Sequence, residues 1–453
     1  MLVAMATSAH DTVSDLLHDA LDAAESGRLS VAQRRVTAVE RQATCPAHRC
    51  AAQVIAVHLL ARRGDRAQAC TQIAQLLPQV CRITTPDALL AEALLTAGLW
   101  WSDDGDEPSV AQRLLEPALA VAPSTDHTLR AAIAGALGTA MGAAGDPEAG
   151  RRVIRDTLNQ LSGAPEKAAL LGDLAMLEMH AERWREAVAL HRQAFRQARR
   201  SGDADADALI QTQHGLGYSL LAHGQTAEAG RMAQACWRLV QRLCPDNQHW
   251  TWTVRRLLAD QADLAGRGAE AVRHLRAALP AAEACAGPRS VLVAELRAEL
   301  GELLMDRKPQ EALAALEPAV AILSRERGPW HVDTRAALRC AARALDGAGQ
   351  SDEAERHYVR LLEHTPREAA DRATIAADLG SLLASQERYT EALPWMREAF
   401  HRFHNDPAFD PDDLAMFAVS FADVLCELGL EREMDMMWDL VEQADSPKRK
   451  ARR

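Results

Sequence analysis

"TIAADLGSLLAS", residues 374–385, and "TEALPWMREAF", residues 390–400, decide how this chain is read. In the first, Ile375, Leu379, Leu382 and Leu383 fall on one side of a helix. In the second, Leu393, Met396 and Phe400 recur with the same three-to-four-residue step. That step belongs to an amphipathic helix; a half-buried strand would alternate every second residue. Two helices so closely joined form an antiparallel pair. The small residue at Ala392 lets them approach, where a leucine would hold them apart.

The Glu-Ala of this stretch recurs along the chain, at Ala149, Ala187, Ala229, Ala271, Ala312, Ala354 and Ala392. The spacings are 38, 42, 42, 41, 42 and 38 residues. Ala32, Ala69 and Ala111 extend the series backwards, and Met434 extends it forwards. About eleven units of roughly 40 residues therefore fill the chain, a period that marks a helical repeat array. A turn residue precedes most markers by about five positions: Gly27, Gly64, Gly145, Gly224, Gly266, Gly349 or Gly429. Glycine there closes the first helix in a left-handed conformation that a Cβ resists.

Prolines punctuate the starts of the first helices, at positions 46, 86, 123, 165, 245, 288, 329, 366 and 411. Proline suits a first helical turn, because its missing N–H would have no partner there. In "GPWHVDTRAAL", residues 328–338, Gly328 ends one helix and Pro329 leads to the next. His331, Asp333 and Thr334 can accept or donate at the open amides of that helix. The stretch reads as a connector between repeats rather than a ligand site.

Leu379, Gly380, Leu383, Tyr389, Ala392 and Ala399 match, in order and spacing, the signature of the tetratricopeptide repeat. So do Leu216, Gly217, Gly224 and Ala229, and also Leu174, Trp184, Ala187 and Ala194. The chain thus resembles that family, in its long-repeat, kinesin-light-chain-like variety of about 42 residues. The resemblance implies an all-α, right-handed superhelical solenoid of antiparallel helix pairs. It divides the chain into divergent repeats over 1–130, well-matched repeats over 131–402, a capping repeat over 403–445 and a basic disordered tail over 446–453. Degenerate end units suit a solenoid, whose ends each leave one face without a neighbour.

Composition agrees. The chain is 48% hydrophobic and 25% charged with only 4% aromatics, and its apolar residues are mostly Ala and Leu, which favour packed helices over sheet. The net charge of −12 argues against nucleic-acid binding, which needs a basic footprint. Lys448, Arg449, Lys450, Arg452 and Arg453 form a local exception, read as a solvated tail with at most a weak role in docking to an acidic partner. No apolar stretch approaches the ~18–20 residues of a membrane span, and the N-terminus lacks the basic leader of a signal peptide. Nine cysteines, an odd number spread along the helices, fit reduced thiols and a cytoplasmic location, with Cys45, Cys50, Cys70 and Cys81 the one cluster that tempers this reading.

Motifs that suggest chemistry are weak. "CPAHRC", residues 45–50, lacks the fourth ligand and second close pair of a zinc site. Asp203, Asp205 and Asp207 alternate like a calcium loop, but Ala208 stands where the loop needs Gly and His214 where it needs Glu. His401 and His404 form only a pair. The chain has no phosphate loop, no G-x-S-x-G elbow and no H-E-x-x-H. The expectation is a protein without enzyme activity, metal or cofactor.

In the resembled family the first helices line the concave groove. The groove-facing stripe then holds Gln211, His214 and Tyr218, next Arg256 and Asp260, and two units on Arg339 and Arg343. Polar residues on a face that would be apolar if it were core are candidate partner contacts, with the arginines suited to carboxylates. The Lys and Asn of the family's carboxylate clamp have no counterparts here. The expected function is a scaffold that holds a protein or peptide segment in this groove. The alternative is a regulatory module that senses a peptide or small molecule.

Overall fold

The computed structural model describes residues 2–451 apart from 26, 103–106, 162, 201–205 and 407–408. Among them lie twenty-two α-helices and no strand. The chain forms two compact units, residues 1–245 and 246–453. The first holds α1 (Leu2–Glu25), α2 (Leu29–Gln42), α3 (Pro46–Arg62), α4 (Arg66–Val80), α5 (Ala88–Ser102) and α6 (Pro108–Val121). It continues with α7 (His127–Ala143), α8 (Pro147–Gln160), α9 (Ala164–His180), α10 (Trp184–Arg200), α11 (Ala206–Ala222) and α12 (Thr226–Leu243). The second holds α13 (Gln248–Leu264), α14 (Gly268–Ala286), α15 (Val291–Leu304), α16 (Pro309–Glu326) and α17 (Val332–Gly347). It ends with α18 (Ser351–His364), α19 (Arg372–Ser385), α20 (Tyr389–Asn405), α21 (Pro411–Glu427) and α22 (Glu431–Ala451). These are eleven helix pairs, each packed along its length.

The boundaries expected at 130 and 402 both fall inside helices, α7 and α20. Helix α22 continues to Ala451, into the stretch expected as a disordered tail. The side chains of Lys448, Arg449 and Lys450, and all of Arg452 and Arg453, lie outside the described residues, as do Asp203 and Asp205 of the calcium-like stretch.

The alanine period is the packing period. Ala32, Ala69, Ala111, Ala187, Ala229, Ala271, Ala312, Ala354 and Ala392 are all fully buried, at 0% exposure. Ala149 is the exception, and it corrects the repeat frame. The buried small residue of that pair is its neighbour Gly150, where an added Cβ would lie 2.3 Å from the Gly138 carbonyl oxygen. Only glycine lets α7 and α8 come so close.

Among the described residues, nine of the eleven turns within pairs share one closure. The N–H two residues past the last helical turn reaches the carbonyl five residues back, as from Gln225 to Leu220 at 2.8 Å and from Gln350 to Leu345 at 2.9 Å. This needs positive φ at the intervening residue, which the expected glycines supply. Two repeats close the same turn without glycine, through Glu182 at φ 56° and Glu387 at φ 61°.

The prolines differ from expectation. Pro46, Pro165 and Pro411 do open first helices. The other six stand earlier, in the connectors before the first helical residue. The connector reading of residues 328–338 holds in detail. Gly328 has φ 106°. His331 caps α17 by accepting from the Asp333 amide at 3.4 Å, and the Thr334 hydroxyl donates to the Gly328 carbonyl at 2.8 Å.

Within the N-terminal unit α3 packs on α5, α5 on α7, α7 on α9 and α9 on α11. In the C-terminal unit α15 packs on α17, α17 on α19 and α19 on α21. Hollows open between the first helices α13 and α15, which make at most marginal contact, and between the second helices α10 and α12, which like most successive second helices make little backbone contact.

Candidate functional site

The hollow between α13 and α15 is a cleft of about 530 Å³ in the C-terminal unit. Its walls carry Asp260 and Asp263 from α13, Glu299 and Glu302 from α15, and Asp306 and Arg307 from the turn that follows. Leu275 of α14 and Leu303 of α15 give it an apolar base. The local sequence explains the placing. Asp260 and Asp263 lie three apart near the end of α13, and Glu299 and Glu302 three apart on α15, so each pair shares one helix face.

The sequence-derived residues of this unit meet here or beside it. Arg256 pairs with Glu299 across the cleft. Arg343 grips Asp306 with both arms, Nε to Oδ1 at 2.7 Å and Nη2 to Oδ2 at 3.1 Å. Arg339 pairs with Asp378 of α19 at 3.0 Å and reaches Glu302 at 4.0 Å. Arg335 adds a two-armed grip on Asp371, at 2.8 and 2.9 Å. Each principal contact joins neighbouring repeats, so the first helices of the C-terminal unit carry a ladder of opposite charges.

The arginines read from the sequence as candidate partner contacts each already hold a carboxylate of their own chain. Arg339 is only 17% exposed and its partner Asp378 only 15%. Burial raises the Asp378 carboxyl above its ordinary value even against the pull of Arg339. Burial also lifts Glu299 to about 7, with Arg256 pulling it down and Asp260 and Glu295 pushing it up. The partners Glu299, Glu302, Asp306 and Asp378 were missed in the sequence. Their signal was present: each stands about one repeat from an arginine of the same face.

Gln211, His214 and Tyr218 belong to the N-terminal unit. Gln211 is exposed on α11, whereas His214 and Tyr218 are half-buried with their rings edge to face at 4.9 Å. The other suggestive motifs are absorbed into packing. Cys45 precedes α3, His48 is buried 3.7 Å from Asp87, and burial pushes the Cys50 thiol up. His404 stacks on Phe400. Among the described residues no three His, Cys, Asp or Glu side chains are grouped to hold a metal ion, and no helix is long and apolar enough to cross a membrane.

Stacked antiparallel helix pairs, ten of the eleven with a small buried residue at the crossing, define a helical-repeat protein of the tetratricopeptide kind. Tetratricopeptide-repeat family models match residues 166–241 and 372–403. Over those two stretches the chain carries tetratricopeptide repeats. Its fold is similar to the apo form of RapI, at 13% identity, a TM-score of 0.54, and coverage of 79% of this chain and 99% of that one. It is similar also to a signal transduction ATPase with numerous domains that bears a tetratricopeptide-repeat sensor, from Pyrococcus horikoshii. That likeness has 11% identity, a TM-score of 0.55, and coverage of 79% of this chain and 52% of that one. Kinesin-light-chain-like repeats from Podosopora anserina match at 19% identity and a TM-score of 0.38, over 43% of this chain and 94% of that one. No curated protein sequence matches.

Proposed function

We propose that the protein is a non-enzymatic scaffold that binds a partner protein through the first helices of its C-terminal unit. The cleft between α13 and α15 is the principal seat, and it takes a segment bearing Lys or Arg. One observation carries this reading. Five acidic side chains line the cleft against Arg307; burial holds Glu299 near neutrality, and Arg256, Arg339 and Arg343 offset only part of the charge of the other four. The sequence alone favoured an acidic ligand for these arginines. Their engagement with carboxylates of the chain reverses that preference, because a second carboxylate would have to displace the first.

The ladder also fixes the geometry of the seat. Side chains held at both ends lose less freedom when a ligand arrives, which lowers the cost of binding. The same face would serve the alternative of a ligand-sensing module; likeness to the Pyrococcus sensor protein is a likeness of fold and adds no ligand.

Selection of random peptides on the immobilised protein tests the proposal. Enriched peptides should carry Lys or Arg beside an apolar residue. Their affinity should fall about tenfold when Asp263→Asn and Glu302→Gln are combined, the scale of losing a charged contact at an interface. Enrichment of acidic peptides, or binding indifferent to both substitutions, would contradict it.

A further inference from the structure

The second hollow lies in the N-terminal unit, between α10 and α12, and measures about 640 Å³. Helix α11 forms its floor through Leu209, and Phe195 of α10 and Leu239 of α12 form its apolar sides. Arg199 of α10 and Arg238 and Arg242 of α12 stand at its rim. Arg199 and Arg238 are exposed, and neither has an ion pair or side-chain hydrogen bond among the described residues. That sets them apart from the arginines of the C-terminal ladder, each held by a carboxylate of the chain.

The surroundings reinforce the rim. Together α10 and α12 carry eight arginines against two glutamates, in a chain whose net charge is −12. On α10, Arg192, Arg196 and Arg199 recur every three or four residues, so they line one face, where Arg192 is held by Glu228 of α12 at 2.8 Å. A partly buried apolar hollow edged by Arg199 and Arg238, which make no ion pair among the described residues, is complementary to a ligand with an apolar anchor and acidic flanks.

We infer that the α10–α12 hollow is a second docking site, for a partner's acidic peptide segment that inserts one large apolar side chain between carboxylates. Leu209, Phe195 and Leu239 receive the apolar side chain; Arg199 and Arg238 receive the carboxylates. A nucleic-acid strand would engage the arginines but leave the apolar floor uncovered. The site is built from the second helices of the N-terminal unit and does not depend on the cleft between α13 and α15.

A labelled peptide with one tryptophan and one leucine set among glutamates is the probe, used with the full chain and followed by fluorescence anisotropy. Saturable binding is expected. It should weaken at least about tenfold in the Arg199→Glu, Arg238→Glu double variant, whose substitutions fall on exposed residues, and remain unchanged with Asp263→Asn and Glu302→Gln. If the charge reversal disturbs folding by circular dichroism, the Arg199→Gln, Arg238→Gln pair reads the same contact. A control peptide with serine in place of tryptophan and leucine should bind at least about tenfold more weakly. Absence of saturable binding would overturn the inference. So would equal binding of the serine control, binding indifferent to the arginines, or tighter binding of a labelled single-stranded RNA at the same arginines.

Discussion

The N-terminal unit hides its best-formed ion pairs inside the helix packing, whereas the C-terminal unit lays them across its first helices. In the N-terminal unit Glu178 is held between two guanidinium groups, with Arg151 Nε at 2.9 Å and Arg183 Nε at 2.6 Å. The Arg151 and Glu178 side chains are 4% and 6% exposed. Beside them His191 Nδ1 meets the Ser219 hydroxyl at 2.7 Å, and burial drops the His191 pKa to about 4. In the C-terminal unit Arg343 and Asp306 are 45% and 56% exposed. The same chemistry thus serves two ends: buried, it fixes one packing; exposed, it shapes a surface while leaving water to share the charge.

The largest difference should appear when one partner of each pair is removed. Glu178→Ala removes the buried partner of the Arg151 guanidinium, leaving it only the exposed Glu148, and the N-terminal unit should lose about 3 kcal/mol. Arg343→Ala should cost less than about 1 kcal/mol, as exposed pairs do. Arg339→Ala should fall between them, because it leaves the buried Asp378 without its main partner. Urea unfolding of the three variants checks the order. Equal costs for Glu178→Ala and Arg343→Ala would erase the distinction.

The alanine markers should behave alike in both units. Ala229→Leu and Ala271→Leu each place a larger side chain at a fully buried helix crossing. Each should destabilise by roughly 1–3 kcal/mol through overpacking. A silent result in one unit alone would mean that its frame is misassigned.

Much of this was legible from the sequence, and the residues show why. A buried alanine at a fixed interval reports the repeat directly, since no larger residue fits the crossing. The frame slipped at Ala149, where the neighbouring Gly150 takes the buried place and the Glu-Ala spelling misleads, and at Met434, where Met437 is buried instead. The polar stripe of Arg256, Asp260, Arg339 and Arg343 was found because its period is local. The state of its arginines was not, because Glu299, Asp306 and Asp378 come from neighbouring repeats, and only the stacking of helices brings them within reach. The α10–α12 hollow was invisible for the same reason: its lining comes from α10, α11 and α12 of two neighbouring repeats, which only the stacking brings together.

Each unit also holds one carboxyl near neutrality. Asp173 of α9 has no ion pair among the described residues and presses on Gly135, where an added Cβ would lie 1.9 Å from Oδ2. Burial raises it to about 7, as it does Glu299. A carboxyl whose folded pKa lies above its unfolded value binds its proton more tightly when folded. Stability should therefore fall as pH rises from about 4 to about 7, with the full penalty above 7. Asp173→Asn should flatten this fall and stabilise the protein by about 1 kcal/mol at pH 8. No gain at pH 8, in melts compared with pH 5, would count against it. The smallest effect is expected at the turns without glycine. Glu182→Gly and Glu387→Gly should each stabilise by about 0.5 kcal/mol by relieving positive φ, against the entropy that glycine adds to the unfolded chain.

Hydrogen exchange followed by mass spectrometry, with and without the basic peptide selected on the protein, tests the binding assignment most directly. Bound peptide should slow exchange in α13 and α15 and leave α10 and α12 unchanged. Protection confined to α10 and α12, or absent from α13 and α15, would contradict the assignment of the acidic cleft as the partner's seat.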